Sequence, residues 1–114
     1  MAISDAERQR TEALLTRYCA EKIPARFHRE LHIVFRIERG AATLFEERPS
    51  LYDAGQWTTS PVARFRYTAA TRLWTLYWRN RNSRWHLYTP RRPARRIETL
   101  LAEVDRDFTG TFWG

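Results

Sequence analysis

Residues 61–89 have the sequence PVARFRYTAATRLWTLYWRNRNSRWHLYT, and this stretch decides the fold. Aromatic and β-branched residues alternate in it with polar residues at a period of two, which is typical of strands with one buried face. The breaks at residues 69–72 and 80–83 are short enough to be hairpin turns. The stretch therefore predicts three antiparallel strands.

The alternation assigns every side chain of these strands to one of two faces. We expect the face that carries the tryptophans to be buried, with Phe65, Tyr67, Trp74, Leu76, Trp78, Trp85 and Leu87 in the core. The opposite face then displays mainly basic and polar side chains, namely Arg64, Arg66, Thr75, Tyr77, Arg79, Arg84, His86 and Tyr88. We expect this second face to meet solvent.

A helix is predicted at each end of the chain. Ser4 followed by Glu7 forms a capping box, so a first helix should begin here and continue to about Glu21. Near the other end, apolar residues at i, i+3, i+4 and i+7 mark one face of a second helix, and these are Ile97, Leu100, Leu101 and Val104. The tail that follows is too aromatic for a free end, and we expect it to dock on the core.

Two more strands are predicted between the first helix and residue 61. Residues 30–39 alternate, Gly40 supplies a turn, and residues 42–48 return as a second strand. Residues 49–60 are predicted to be a loop whose Leu51, Tyr52 and Trp57 fold back on the domain. The expected fold class is therefore α+β, with residues 1–114 in one domain: an N-terminal helix, a five-stranded, mostly antiparallel meander and a C-terminal helix.

The net charge of +7 is confined to the second half of the chain. Residues 1–60 carry nine basic and nine acidic residues, whereas residues 54–97 contain ten arginines and no acid. A surface of one sign attracts polyanions, and arginine can bind phosphate through two parallel N–H donors. A GC-rich genome would explain nineteen arginines beside one lysine, but it would not explain the missing acids.

Cellular location is also constrained by composition. The single cysteine, Cys19, cannot form an internal disulfide, and we expect it to be a small buried apolar residue. The first residues lack the pattern of a signal peptide, and no apolar run approaches the length of about 20 residues that a membrane span needs. We expect a cytoplasmic protein that is not inserted in a membrane.

The most specific motif is the tryptophan-rich run Trp74-Thr-Leu-Tyr-Trp-Arg-Asn-Arg-Asn82. It follows Ala63-Arg-Phe-Arg-Tyr-Thr68 and precedes Leu100-Leu-Ala-Glu-Val-Asp-Arg-Asp107 and the closing Thr109-Gly-Thr-Phe-Trp-Gly114. With these motifs the sequence resembles the bacterial domain-of-unknown-function family 3024 over almost its whole length. The resemblance implies no activity. The family usually has an aspartate where this chain has Asn80, which argues against a catalytic carboxylate at that turn.

Catalytic and metal-binding motifs are weak. His28-Arg-Glu-Leu-His32 resembles a zinc-protease helix only superficially, because the glutamate is misplaced and the segment begins a predicted strand. For a small hydrolase, the pair worth testing is Glu46 with His86. No motif implies a cofactor, and the sequence favours a binding protein over an enzyme.

The basic, aromatic face is the best functional signal. Its candidate residues for binding nucleic acid or another anion are Arg64, Arg66, Tyr77, Arg79, Arg81, Arg84, His86, Tyr88, Arg91 and Arg92. Aromatic rings could stack on unpaired bases while arginines hold the backbone, or the sheet could enter a DNA major groove. The alternative is a protein-interaction module that binds an acidic protein or forms a homodimer through its edge strands.

Overall fold

The computed structural model describes residues 3–113, and it confirms the α+β class. The elements in chain order are α1 (Asp5–Lys22), a short 3-10 turn (Ala25–Phe27), β1 (His32–Glu38), β2 (Ala41–Pro49), β3 (Trp57–Thr68), β4 (Leu73–Arg79), β5 (Trp85–Leu87) and α2 (Ile97–Arg106). The five strands form one antiparallel sheet in the order β1-β2-β3-β4-β5, which is the predicted meander. Within residues 3–113, no helix combines the length and apolar character needed to cross a lipid bilayer.

Local sequence signals account for the start of the fold. The Ser4 hydroxyl oxygen accepts a hydrogen bond from the Glu7 backbone amide at 3.2 Å, so α1 begins at the predicted cap. Between β1 and β2, Arg39 and Gly40 both have positive φ angles, 47° and 80°. Such a pair matches the right-handed twist of a two-residue hairpin, and it places Arg39 at the end of the sheet.

The hydrophobic core lies on one face of the sheet, beneath both helices. The sheet contributes buried side chains from four of its strands, and these include Ile33, Ile37, Leu44, Phe65, Trp74 and Leu76. The helices contribute Leu15, Cys19, Ile97, Leu100 and Val104. The Asp105 carboxylate links the helices, because it accepts hydrogen bonds from the Tyr18 hydroxyl at 2.6 Å and the Lys22 ammonium group at 2.9 Å. Among the described residues 3–113, no helix packs against the other face of the sheet.

The turn between β4 and β5 is longer than predicted. Five residues, 80–84, separate the strands, and Ser83 has a positive φ of 63°. The Asn80 side-chain oxygen accepts hydrogen bonds from the backbone amides of Asn82 at 2.9 Å and Arg84 at 3.0 Å. Asn80 therefore has a structural role in shaping this turn.

This longer turn reverses the predicted facing of β5. Since Arg79 pairs with Trp85, the side chains of Trp85 and Leu87 lie on the open face, where Leu87 is 49% exposed. Tyr88 instead belongs to the core and is only 2% exposed. A shift of one residue in register transfers every side chain of a strand to the other face, which is why the prediction for this strand was wrong.

The hairpin of β2 and β3 is longer than predicted, because β3 already begins at Trp57. Leu51 and Tyr52 do not fold back on the core; they are 92% and 93% exposed at the tip of the hairpin. Within the hairpin, Leu44 pairs with Ala63 and Phe45 with Pro61, so Val62 is an extra residue that forms a β-bulge.

The aromatic tail docks on the core as predicted. Asp107 ends α2 in a left-handed conformation, and its carboxylate accepts the backbone amides of Phe112 at 2.9 Å and Trp113 at 2.8 Å. The Trp113 indole N–H donates to the Val104 carbonyl at 3.1 Å. The acids at the end of α2 therefore bind the tail and α1, which explains their position at the negative end of the helix dipole.

We expect Asp107→Asn to lower the free energy of unfolding by about 1–2 kcal/mol, because an amide nitrogen cannot accept one of the two hydrogen bonds. Asparagine tolerates the left-handed backbone at this position, so the turn itself is retained. Urea denaturation followed by tryptophan fluorescence measures the change. Asp53→Asn, in the exposed loop at residues 50–56, is the control for loss of charge. Equal stability of the two variants would contradict a role for Asp107 in holding the tail.

Candidate nucleic-acid interface

A depression of about 350 Å³ lies on the open face of the sheet. Five arginines line it: Arg36, Arg39, Arg64, Arg66 and Arg79. They come from β1, the β1–β2 turn, β3 and β4, and they share a face because alternate residues of a strand point the same way. We refer to this site as the arginine depression.

Charge in the arginine depression is poorly balanced. Glu38 is the single acid in its lining, so five guanidinium groups face one carboxylate. In the part of the chain that the structure describes, none of the five arginines has a carboxylate oxygen within 4.0 Å. Burial lowers the pKa of Arg64, and the charges of Arg66 and Arg79 lower it further. Arg64 stays protonated at neutral pH, and an arriving anion would relieve this repulsion.

Fixed contacts hold the central arginine in place. The Arg64 Nε donates a hydrogen bond to the Thr43 hydroxyl at 3.1 Å, and Thr43 is 6% exposed. The Arg64 guanidinium carbon lies 4.5 Å from the centroid of the Trp85 ring, and that of Arg79 lies 5.8 Å from it. Cation–π contacts of this kind order the side chain and leave guanidinium N–H groups free to bind a ligand.

A second arginine–aromatic pair lies on the β1–β2 side of the same depression. The Arg36 guanidinium carbon is 5.1 Å from the centroid of the Phe45 ring. Phe45 is half-buried and also lines the depression. The arginine depression is therefore bordered by an aromatic ring on each side.

The structure brings three of the predicted site residues together. Arg64, Arg66 and Arg79 all line the arginine depression, as their alternation in the sequence indicated. Tyr77 pairs with Arg64 on the same face of the sheet but does not line the depression.

The remaining predicted site residues lie elsewhere. Arg81 and Arg84 are exposed in the β4–β5 turn, and Arg91 and Arg92 are exposed in the segment before α2, outside the depression. His86 and Tyr88 were wrongly assigned to the open face, because the five-residue turn directs them to the helix side. The His86 ring lies 5.1 Å from the Trp78 ring there, and the Tyr88 ring lies 5.0 Å from Phe112.

The other seven residues that line the depression were missed from the sequence, and they include two arginines and the tryptophan. Trp85 was assigned to the core, and Arg36 and Arg39 belong to the half of the chain whose net charge is zero. The alternation of residues 30–39 already placed Arg36 opposite Ile37, so it was a usable signal. Pairing of β1 with β2, and of β2 with β3, brings Arg36 and Arg39 beside the later arginines.

The residues considered for catalysis do not form a site. Glu46 and His86 lie on β2 and β5, and two intervening strands put them at least about 14 Å apart at the usual strand spacing. The Glu46 carboxylate accepts a hydrogen bond from Arg48 at 2.8 Å, and His86 contacts the Asn80 side chain at 2.7 Å. The proposed pair is therefore wrong. Within residues 3–113, no three His, Cys, Asp or Glu side chains are placed to hold a metal ion together.

The nitrogens of His32 are occupied by structural hydrogen bonds. Its Nδ1 lies 3.1 Å from the His28 carbonyl oxygen and its Nε2 lies 2.8 Å from a Glu47 carboxylate oxygen. Both partners are acceptors, and they raise the pKa of His32, with the His28 carbonyl as the larger cause. Hydrogen bonds from Thr59 and His32 lower the pKa of Glu47. The arrangement ties the long hairpin to the edge strand β1.

This cluster should stabilise the fold most strongly at mildly acidic pH. The raised pKa of His32 means that its contribution is complete below its ordinary value of 6.5 and is lost as the pH rises through the folded value. The lowered pKa of Glu47 means that its contribution is complete above 4.5 and is lost as the pH falls through the folded value. We expect His32→Gln to lose most stability, relative to the wild type, between pH 4.5 and 6.5.

Urea denaturation of both proteins from pH 4 to pH 9 measures this difference. Its decrease towards pH 9 is the expected result. A difference that does not change with pH would show that His32 acts only through packing against Trp57, whose ring centroid lies 4.3 Å from its own.

Comparison with known proteins shows the family of this chain. The model of a family described as "Domain of unknown function (DUF3024)" matches residues 3–114, so the chain belongs to that family. No curated protein and no solved structure was found to be significantly similar to the chain.

Proposed function

Since membership of DUF3024 assigns no activity, we propose from its open sheet face that the protein is a non-enzymatic module that binds nucleic acid. The observation that carries the proposal is the arginine depression, in which five guanidinium groups face one carboxylate. Structural arginines on a protein surface are usually solvated or paired with acids. These arginines are instead concentrated in one concave site, where a phosphate group could replace the missing acids.

The geometry of the side chains supports phosphate over a simple counter-ion. Arg64 is held by Thr43 and Trp85, so little side-chain entropy remains to be lost on binding. A planar guanidinium group can make two parallel hydrogen bonds to one phosphate, and neighbouring arginines can engage successive phosphates. A polymer with one phosphate per unit therefore fits this face.

A protein-interaction role is the second candidate. It is favoured by Leu51 and Tyr52, which extend into solvent at the tip of the β2–β3 hairpin, where each is more than nine-tenths exposed. Light scattering would show a dimer if these residues bind a second copy of the chain, and Leu51→Ser with Tyr52→Ser should return it to a monomer. A monomer at all concentrations would argue against self-association.

Salt dependence tests the proposed function. We expect the wild-type protein to bind a fluorescent oligonucleotide with an affinity that falls steeply with salt. Replacing Arg64, Arg66 and Arg79 with glutamine should reduce the slope of log K against log salt by about 2, at roughly 0.7 per lost phosphate contact on a single strand. Fluorescence anisotropy between 50 and 300 mM NaCl, about the range over which such contacts are screened, measures the slope.

The chain offers a control of equal charge. Replacing Arg81, Arg91 and Arg92 with glutamine also removes three positive charges, but from exposed positions outside the arginine depression. We expect this control to keep most of the wild-type slope. Equal losses in both variants would show that net charge, and not the depression, attracts the polymer. The absence of wild-type binding at low salt would refute the proposal.

A further inference from the structure

We infer that the nucleic acid bound by this face is single-stranded, with an unpaired base stacked at Trp85. The inference rests on the proposed function and specifies the form of its ligand. It depends on two features that phosphate binding alone does not require: the aromatic rings that border the arginine depression, and a second depression that adjoins it at the end of the sheet.

The first feature is the position of Trp85. This ring is half-buried at the edge of the arginine depression and lies within 6 Å of two guanidinium carbons, at 4.5 Å from Arg64 and 5.8 Å from Arg79. A tryptophan offers no charge to a phosphate, but it offers a flat surface to a base. The arginines beside it can hold the phosphate of the same nucleotide. Because Arg64 stacks on this ring, ring and charge are close enough together to bind the base and the phosphate of one nucleotide.

The second feature is an adjoining depression, which makes the site longer. A further depression of about 240 Å³ shares Arg39 and Arg66 with the first and continues to Ala69 and Ala70, at the β3–β4 turn. The two depressions together form a track that runs from Trp85 across the arginines to this turn. A track with arginines shared between its two parts suits consecutive phosphates of a chain better than one isolated phosphate.

A duplex fits these features poorly. In a double helix the faces of the bases are stacked on each other, so they are not available to Trp85. Readers of the major groove project side chains from a strand or helix into the groove. Here Arg64 and Arg79 are half-buried at the side of the depression that Trp85 lines, so they suit a flexible strand that can enter it.

The experiment measures the binding of the wild-type protein to two labelled ligands at one salt concentration. The first is a single-stranded 15-mer of thymidine, and the second is the duplex that this strand forms with a 15-mer of deoxyadenosine. We expect the single strand to bind at least about 10-fold more tightly, because only the single strand can contribute stacking. Unlabelled thymidine 5′-monophosphate and the dinucleotide should compete far less well than the 15-mer. Duplex binding as tight as single-strand binding would overturn the inference.

A matched pair of tryptophan variants tests the stacking site. Trp85→Leu should weaken single-strand binding by roughly 5- to 100-fold. Duplex binding should fall much less, because it loses no stacking and Arg64 keeps its hydrogen bond to Thr43. Trp57→Leu is the control, because Trp57 is on the same sheet and 42% exposed but packs on His32 outside the arginine depression. Trp85→Phe keeps an aromatic ring and should restore most of the affinity, which separates stacking from loss of fold.

The outcomes distinguish the inference from the proposed function. One outcome is that Trp85→Leu binds the single strand as tightly as the wild type does, while replacement of the depression arginines still weakens binding. This outcome would refute the stacking site but not the proposed nucleic-acid binding. Failure of the three depression arginines to affect either oligonucleotide would instead refute the proposed function. If Trp85→Leu does not fold, the comparison of single strand with duplex on the wild-type protein still decides the inference.

Discussion

The pairing of β3 with β4 is the constraint on which the rest of the structure depends. Phe65 pairs with Leu76 and Arg64 with Tyr77, so one register fixes both faces of the sheet. Phe65 and Leu76 are almost completely buried, and alternation then directs Arg64 away from the core. A slip of one residue would place a charged guanidinium group in the core without a partner, which is strongly unfavourable. The core and the arginine depression are thus two results of the same pairing.

The mutually repelling arginines lie on one face of the sheet, and the core and helices that stabilise the fold lie on the other. On the helix side, the Asp105 carboxylate joins α1 to α2 and Asp107 fixes the tail, so two of the four acids of the second half are used there. On the open face, Trp85 and Thr43 hold Arg64 without neutralising it. Natural proteins depart from locally favourable design mainly at functional sites, and a cluster of uncompensated charge is such a departure.

Most of the fold could be predicted because its signals are local. The cap at Ser4, the turn at Gly40 and the alternation of β3 and β4 depend on residues close together in sequence. The facing of β5 could not be predicted, because it depends on whether four or five residues form the turn, and the hydrogen bonds of Asn80 decide this. The site was only half predicted for a different reason. Charge counted along the chain hides Arg36, which reaches the site through strand pairing.

The β-bulge at Val62 has a consequence for how this sheet could change by insertion or deletion. Before the bulge, odd-numbered residues such as Trp57 and Thr59 share the face of Glu47, and after it even-numbered residues such as Arg64 share that same face. One additional residue thus changes the alternation of side chains partway along β3, so that odd-numbered residues before the bulge and even-numbered residues after it point to the same face. Because pairing with β4 holds Arg64 and Arg66 on the open face, deletion of this one residue would turn the side chains of residues 57–61 to the opposite face, so the spacing within β3 is as informative as the residues themselves.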